Sequence, residues 1–117
     1  MRFSLLLGAL YFILKRASVK NEAFKRHIRH TSARILIKTA KGRGRLFIFE
    51  KGKLSSRSGG RWEFDVALVW KDAKTGFRVM TDKSPDASFN AAARGDLKVE
   101  GVSFYAQWFQ DGINFVM

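Results

Sequence analysis

The chain is organised around residues 84–109, SPDASFNAAARGDLKVEGVSFYAQWF. It opens with the signals of a helix start, Ser84 as the N-cap and Pro85 at the first helical position, and continues through small residues. Residues 96–100 then alternate between polar and apolar side chains between two glycines, which predicts a short strand. An aromatic-rich segment follows, containing Phe104, Tyr105, Trp108 and Phe109. A unit this short needs an upstream surface on which to pack.

That surface is predicted in WEFDVALVW, residues 62–70, where a large apolar residue stands at every second position. This period places all of them on one face of a strand, opposite a mixed face that carries two acids. Such a row suits a broad core or the wall of a cavity. The residues of this apolar face are Trp62, Phe64, Val66, Leu68 and Trp70.

Length and composition predict one domain with a substantial core. The chain has 117 residues, of which 46% are hydrophobic, and this excludes a disordered protein. It has no cysteine. Disulfides, thiol catalysis, iron–sulfur clusters and thiolate zinc sites are therefore excluded, and an intracellular location is the default expectation.

The net charge of +12 is unevenly distributed. Residues 1–61 contain 16 basic and 2 acidic residues, whereas residues 62–117 contain 6 and 8, so the halves carry +14 and −2. A strongly positive half attracts polyanions, either nucleic acid or an anionic lipid surface. Composition alone does not choose between them.

The N-terminal run FSLLLGALYFIL, residues 3–14, is almost entirely apolar. As a helix it would extend about 18 Å, too short for the ~30 Å hydrocarbon core of a bilayer. A signal peptide is disfavoured because Lys15 and Arg16 stand where a small-residue cleavage site would be. A helix buried in the protein or covered by a partner, and an interfacial membrane anchor, both remain open.

Residues 17–31 predict a second helix, basic and amphipathic, with a thin apolar stripe of Ala17, Phe24 and Ile28. Its basic face is either a solvated surface or a site for lipid headgroups or another polyanion. The candidate membrane or polyanion surface comprises Lys15, Arg16, Lys20, Lys25, Arg26 and Arg29.

Three short strands are predicted next, at residues 35–37, 46–49 and 54–57, with the first two forming a hairpin. The hairpin turn contains Gly42 and Gly44 among basic residues, which suggests a phosphate loop. Phosphate loops, however, need a helix N-terminus directly after the glycines, so an ordinary hairpin turn is favoured.

No catalytic or metal site emerges from the sequence. The only histidines, His27 and His30, share a basic helix with no carboxylate or thiolate to complete a metal site. Neither a nucleophile elbow nor a phosphate loop is present. We therefore expect no enzyme activity, cofactor or metal.

Residues 72–82 are ambiguous by periodicity. Either a turn leads into a strand, or Asp72 caps a short helix whose Phe77 and Met80 face inward.

Taken in order, these segments resemble the sterol carrier protein family of small lipid-binding domains, over residues 32–109. The resemblance is carried by a strand with a buried acid near its start, a short segment after it, a proline-containing helix start, and a glycine-bounded strand before a helix with a small residue. These features are Asp65-Val66-Ala67-Leu68; Asp72 and Phe77; Pro85, Phe89 and Ala92; GDLKVEG at residues 95–101; and Ala106.

The sequence departs from the family pattern at two positions. Asp82 or Lys83 stands where the family has a glycine before the helix start, and Val102 stands where a polar residue usually follows the closing glycine. The N-terminal apolar helix and its basic successor are also longer and more apolar than the family's. The fold prediction stands, but the ligand need not be a sterol.

The resemblance implies a single α+β domain: a twisted sheet of about five strands, with helices packed on one face and enclosing a hydrophobic tunnel. The N-terminal apolar and basic helices, residues 1–31, would pack with the lipid-binding part, residues 32–117, as one domain. The resemblance also favours a helix at residues 72–80. The residues expected to line the cavity are Trp62, Phe64, Val66, Leu68, Phe77, Met80, Phe89, Leu97, Val99, Phe104, Tyr105 and Trp108.

The function this predicts is a non-catalytic lipid-binding or lipid-transfer module. It would hold a long-chain or isoprenoid lipid in the apolar cavity and dock on anionic membrane through its basic N-terminal half. We expect a cytoplasmic protein, and membrane docking would place it at the inner membrane face.

Three alternatives remain open. The aromatic cluster is equally the mark of a filled core without a cavity. A nucleic-acid binder is disfavoured, because the aromatic residues lie mostly outside the basic half that would have to interleave with them. In an interaction subunit, the segment from Leu5 to Leu14 would cover a second copy of the chain or another protein.

Overall fold

The computed structural model describes residues 2–80 and 87–116, except the side chains of Arg2, Met80 and residues 87–89. Within them the chain forms five helices and five strands, in the order α1 (Arg2–Lys20), α2 (Glu22–Ile28), β1 (Ala33–Thr39), β2 (Gly44–Glu50), β3 (Lys53–Ser58), β4 (Val66–Trp70), α3 (Ala73–Met80), α4 (Ala87–Arg94), β5 (Leu97–Gly101) and α5 (Ser103–Asn114).

The five strands form one mixed sheet in the order β3-β2-β1-β4-β5. The predicted hairpin is β1 with β2, and β3 adds to it antiparallel. β4 pairs parallel with β1, so the chain must cross from the β3 edge over two strands to reach its place. β5 then pairs antiparallel with β4 and closes the other side.

All five helices pack on one face of the sheet, which we call the inner face. Their buried apolar residues belong to the same cluster as alternate residues of the strands, among them Ile35, Phe47 and Val66. The opposite, outer face carries a smaller cluster centred on Leu36 and Leu46, to which no helix contributes among the described residues. The predicted α+β fold with helices on one face of five strands is confirmed.

The first helix is longer than the sequence predicts. α1 continues through Lys15 and Arg16 to Lys20, because residues spaced three or four apart keep one side of it in the core. The break falls at Asn21, whose side-chain oxygen accepts a hydrogen bond of 3.0 Å from the Phe24 backbone N–H and caps α2. The predicted boundary before Ala17 is therefore wrong.

The ambiguous segment after β4 is a helix, as the family resemblance implied. The Asp72 carboxylate accepts a hydrogen bond of 2.7 Å from the Thr75 backbone N–H at the start of α3. This bond stabilises the charged form and lowers the pKa of Asp72 below its ordinary value. The predicted helix of the next segment is present as α4 from Ala87, while the predicted start signals at Ser84 and Pro85 lie outside the described residues.

β4 is shorter than the predicted strand, since Trp62 and Phe64 precede its first residue, Val66. Phe64 packs on the outer-face cluster, so the prediction that it shares a face with Val66 is wrong. Asp65 was expected to be buried, but it is exposed. Its carboxylate accepts a hydrogen bond of 2.7 Å from the Arg34 backbone N–H and ties β4 to β1.

The glycine that ends β5 is required by its surroundings. Gly101 has a φ of +90°, and a Cβ there would meet the Asp65 carbonyl oxygen and lie 3.3 Å from a ring carbon of Phe64. Gly95, before β5, also has a positive φ of +83°, but a Cβ there would meet nothing within 4 Å. The positive φ favours glycine at both positions, but only at Gly101 would a Cβ also collide with neighbouring atoms.

This difference yields a stability prediction. Gly95→Ala should lower the free energy of unfolding by about 1 kcal/mol, the cost of a left-handed backbone. Gly101→Ala should lower it by about 3 kcal/mol, because the methyl group also displaces the chain at Asp65. Urea unfolding of the two variants measures both, and equal losses would contradict a close approach at Gly101.

Candidate functional site

Four of the predicted cavity residues lie on the inner face of the sheet, two on β4 and two on β5. Leu68 stands directly opposite Val99 across the pair, while Val66 and Leu97 are fully packed. Leu68 is half-buried and Val99 is 38% exposed. The inner face therefore opens towards its β5 edge.

Trp108 lies in a filled part of the core. Its ring stacks on His27 at 5.1 Å and meets Phe49 edge-on at 4.9 Å. The crevice around these rings has no room for a water molecule. The predicted cavity therefore does not extend beneath Trp108.

His27 has a structural role in this packing. Its Nε2 donates a hydrogen bond of 2.7 Å to the Trp108 backbone carbonyl, which fixes α2 against α5. The close approach requires Gly112, since a Cβ there would lie 3.1 Å from the imidazole. No group of three potential metal ligands is found within the described residues.

The start of α5 leaves large apolar side chains in solvent. Phe104 is 67% exposed and contacts Tyr105, which is half-buried against the core, with ring centroids 5.5 Å apart. Val102, at the turn before α5, is also exposed. We call Val99, Val102 and Phe104 the β5 apolar edge.

The remaining predicted cavity residues do not join this edge. Trp62 is 39% exposed, and its indole N–H donates to the Ser58 carbonyl at 2.9 Å. Phe64 lies on the outer face, and Phe77 is half-buried on α3. The side chains of Met80 and Phe89 lie outside the described residues.

The six basic residues of the predicted membrane or polyanion surface have different surroundings. The Lys15 ammonium donates a hydrogen bond of 2.6 Å to the Leu54 carbonyl, and Lys25 forms an ion pair with Glu22 at 3.3 Å. The other four are exposed: Arg16, Lys20, Arg26 and Arg29.

α1 also has an exposed apolar stripe that the sequence reasoning missed. Leu5, Phe12 and Val19 recur every seven residues, and each is exposed; Phe12 is 66% exposed. Arg16 lies on the same side of the helix, while the opposite side is buried in the core. The seven-residue spacing was readable in the sequence, but the run is so apolar that nothing marked which side would be buried.

No helix among the described residues is both long and apolar enough to cross a membrane.

Compared with protein-family models and with curated proteins, the sequence matches none. The similarity is in the fold. A structure of a UbiJ-SCP2 ubiquinone synthesis protein is 10% identical, with 98% of this chain and 95% of that chain covered and a TM-score of 0.67. The Thermus thermophilus protein TT1886, described as a possible sterol carrier protein, is 18% identical, with 92% and 84% covered and a TM-score of 0.60.

An inverting sec-alkylsulfatase, Pisa1 from a Pseudomonas species, is also similar, at 10% identity and a TM-score of 0.53. This chain covers only 14% of that protein, so the similarity concerns one part of a larger enzyme. Two of these structures carry the sterol carrier name, and they match almost throughout. The chain therefore has the sterol carrier protein fold that its sequence predicted.

Proposed function

We propose that this protein is a non-catalytic lipid-binding module, which holds a long apolar chain against the inner face of its sheet and docks on anionic membrane through α1. The observation that carries the proposal is the β5 apolar edge, where large apolar side chains are exposed to solvent. The fold is similar to that of a UbiJ-SCP2 protein and of a possible sterol carrier protein. Fold alone does not establish function, so the site must support it.

The β5 apolar edge supports a lipid chain better than a polar ligand. Val99 is exposed on the inner face opposite half-buried Leu68, and Phe104 stands at the start of the helix that covers that face. A long chain laid along these residues would leave water at about 0.8 kcal/mol per CH₂. Because the crevice at Trp108 is filled, the chain would enter from the β5 side and stop short of that ring.

Docking on membrane is supported by the exposed side of α1. Its three large apolar residues would enter the headgroup boundary, while exposed Arg16 and Lys20 meet anionic lipid. Exposed apolar surface rimmed by polar residues marks interaction sites, and basic residues add about 1 kcal/mol each near an anionic surface. An interfacial helix would thus use the apolar run as a membrane anchor and the neighbouring basic residues as a site for lipid headgroups.

Lipid retention is tested by native mass spectrometry of the purified protein and by uptake of a fluorescent fatty acid. We expect co-purifying lipid, and Phe104→Ser should weaken fatty-acid binding about fivefold, since one large apolar contact is lost. Phe12→Ser is the matched control, because Phe12 is equally exposed but lies on α1. A clean apo mass together with no uptake would overturn the lipid-binding proposal.

Membrane docking is tested by co-sedimentation with vesicles of phosphatidylcholine and phosphatidylglycerol. Phe12→Ser should weaken partitioning about tenfold, because the loss of a phenyl ring from the interface is worth about 1.5 kcal/mol or more. Arg16→Gln should weaken it about fivefold at low salt and less at high salt.

Phe104→Ser is the matched control for vesicle binding, because Phe104 lies outside α1, and it should bind vesicles like the wild type. Absence of vesicle binding, with a dimer in size-exclusion chromatography that Phe12→Ser dissociates, would show instead that α1 covers a second copy of the chain.

One observation favours the nucleic-acid alternative. The Arg57 guanidinium lies 5.4 Å from the centre of the exposed Trp62 ring, so an aromatic side chain does meet the basic half of the chain. Such a pair can stack on a single-stranded base. A gel shift with random single-stranded DNA at near-physiological salt tests this function; tight binding abolished by Trp62→Ala, without vesicle association, would favour it.

A further inference from the structure

A pocket of about 280 Å³ opens where the first turns of α1 meet the β2–β3 edge of the sheet. Three parts of the chain contribute to it: the start of α1, the start of β2 with the residue before it, and the end of β3. For comparison, a cavity of ~150 Å³ accommodates benzene, so a small polar group has ample room here. The lining residues are Ser4, Leu7, Arg43, Gly44, Arg45, Ser58 and Gly59.

Arg45 is held in place within this pocket. Its Nη1 donates a hydrogen bond of 2.7 Å to the Ser56 hydroxyl, and its guanidinium lies 5.9 Å from the centre of the Tyr11 ring. The side chain is half-buried, and no other partner of the guanidinium is found in the described part of the chain. Its remaining N–H donors therefore form a pre-oriented group at the pocket.

The pocket is positively charged without internal compensation. Arg43 and Arg45 both line it, and none of its described lining residues is acidic. The ion pairs found between described residues involve neither arginine. Two arginines at one partly enclosed pocket concentrate positive charge there, which favours a bound anion.

Two further groups at the pocket are donors. Ser4 and Ser58 line the pocket and each carries a hydroxyl, and Ser4 lies in the first turn of α1, which contains no acid. The glycines have a different role: a Cβ on Gly44 would collide with β1 at Lys38. Gly42 and Gly44 belong to the β1–β2 hairpin, as predicted. The chemistry of the pocket comes from the arginines beside them.

We propose that this pocket binds a phosphate group, presented either by the headgroup of an anionic lipid or by a soluble phosphate monoester. Guanidinium forks match tetrahedral oxyanions with paired, charge-assisted hydrogen bonds, and the serine hydroxyls can complete the set. The site lies across the sheet from the β5 apolar edge, and this inference does not depend on the proposed lipid function.

The experiment is an NMR titration of the full chain with inorganic phosphate, and in a second arm binding to phosphatidic acid in phosphatidylcholine vesicles. Arg43→Gln tests the pocket at an exposed side chain that makes no described contact, so the fold should be kept. Arg45→Lys keeps the charge but loses the fork. Arg34→Gln is the matched control, because it removes the same charge from the outer face of the sheet.

With wild type, phosphate should shift the amide signals of residues 43–45 and 58–59. Arg43→Gln and Arg45→Lys should each weaken phosphate binding about tenfold, and Arg34→Gln by less than twofold. A response in the first arm alone identifies a soluble phosphate, and a response to phosphatidic acid alone identifies a lipid headgroup. Equal effects of Arg43→Gln and Arg34→Gln in both arms, or no shifts at these residues, would overturn the proposal. Neither result bears on lipid retention at Phe104.

Discussion

Burial of the inner face of the sheet is the interaction on which the rest of this structure depends. Every strand turns at least one large apolar side chain to that side, although β3 contributes only Leu54, and the described helices all pack there. Each such side chain contributes about 1.5–3 kcal/mol when it leaves water, so a five-stranded inner face outweighs any local preference of the helices that cover it. The positions of α1 and α5 follow from this requirement.

Covering that face buries only part of the apolar surface of the helices. In α1, Leu7, Leu10 and Leu14 enter the core, whereas Leu5 and Phe12 face solvent. A helix has one side against the sheet, so a run that is apolar all round must expose the other. α5 is divided in a similar way: Trp108 and Phe109 are buried, Tyr105 is half-buried, and Phe104 faces solvent.

The fold separates most of the basic residues from the acidic ones, so the positive charge is unevenly distributed over the surface. The ion pairs of the β5 side join Lys71 and Arg94 to Asp96, and they hold the end of α4 beside β4. Around the β1–β2 turn the arginines lack such partners among the described residues. Excess charge therefore collects at α1 and at the edge beneath its first turn, where anionic ligands or surfaces would meet it.

Local sequence patterns predicted most of the helices and strands, and the resemblance to the sterol carrier protein family predicted the fold class. Most strands and the glycines bounding β5 were predictable, because periodicity and left-handed backbone act over a few residues. Local pattern left residues 72–82 open between a strand and a helix capped by Asp72, and only the family resemblance favoured the helix. Which apolar residues are buried in the core depends on the tertiary packing. Because regular strand begins only at Val66, the chain before it turns Phe64 to the outer face, and the packing of α2 against α5 fills the space at Trp108. The tertiary packing also placed Ser4 and Arg45 at one pocket. Proximity between residues distant in the chain depends on how whole elements pack, and local sequence patterns do not predict it.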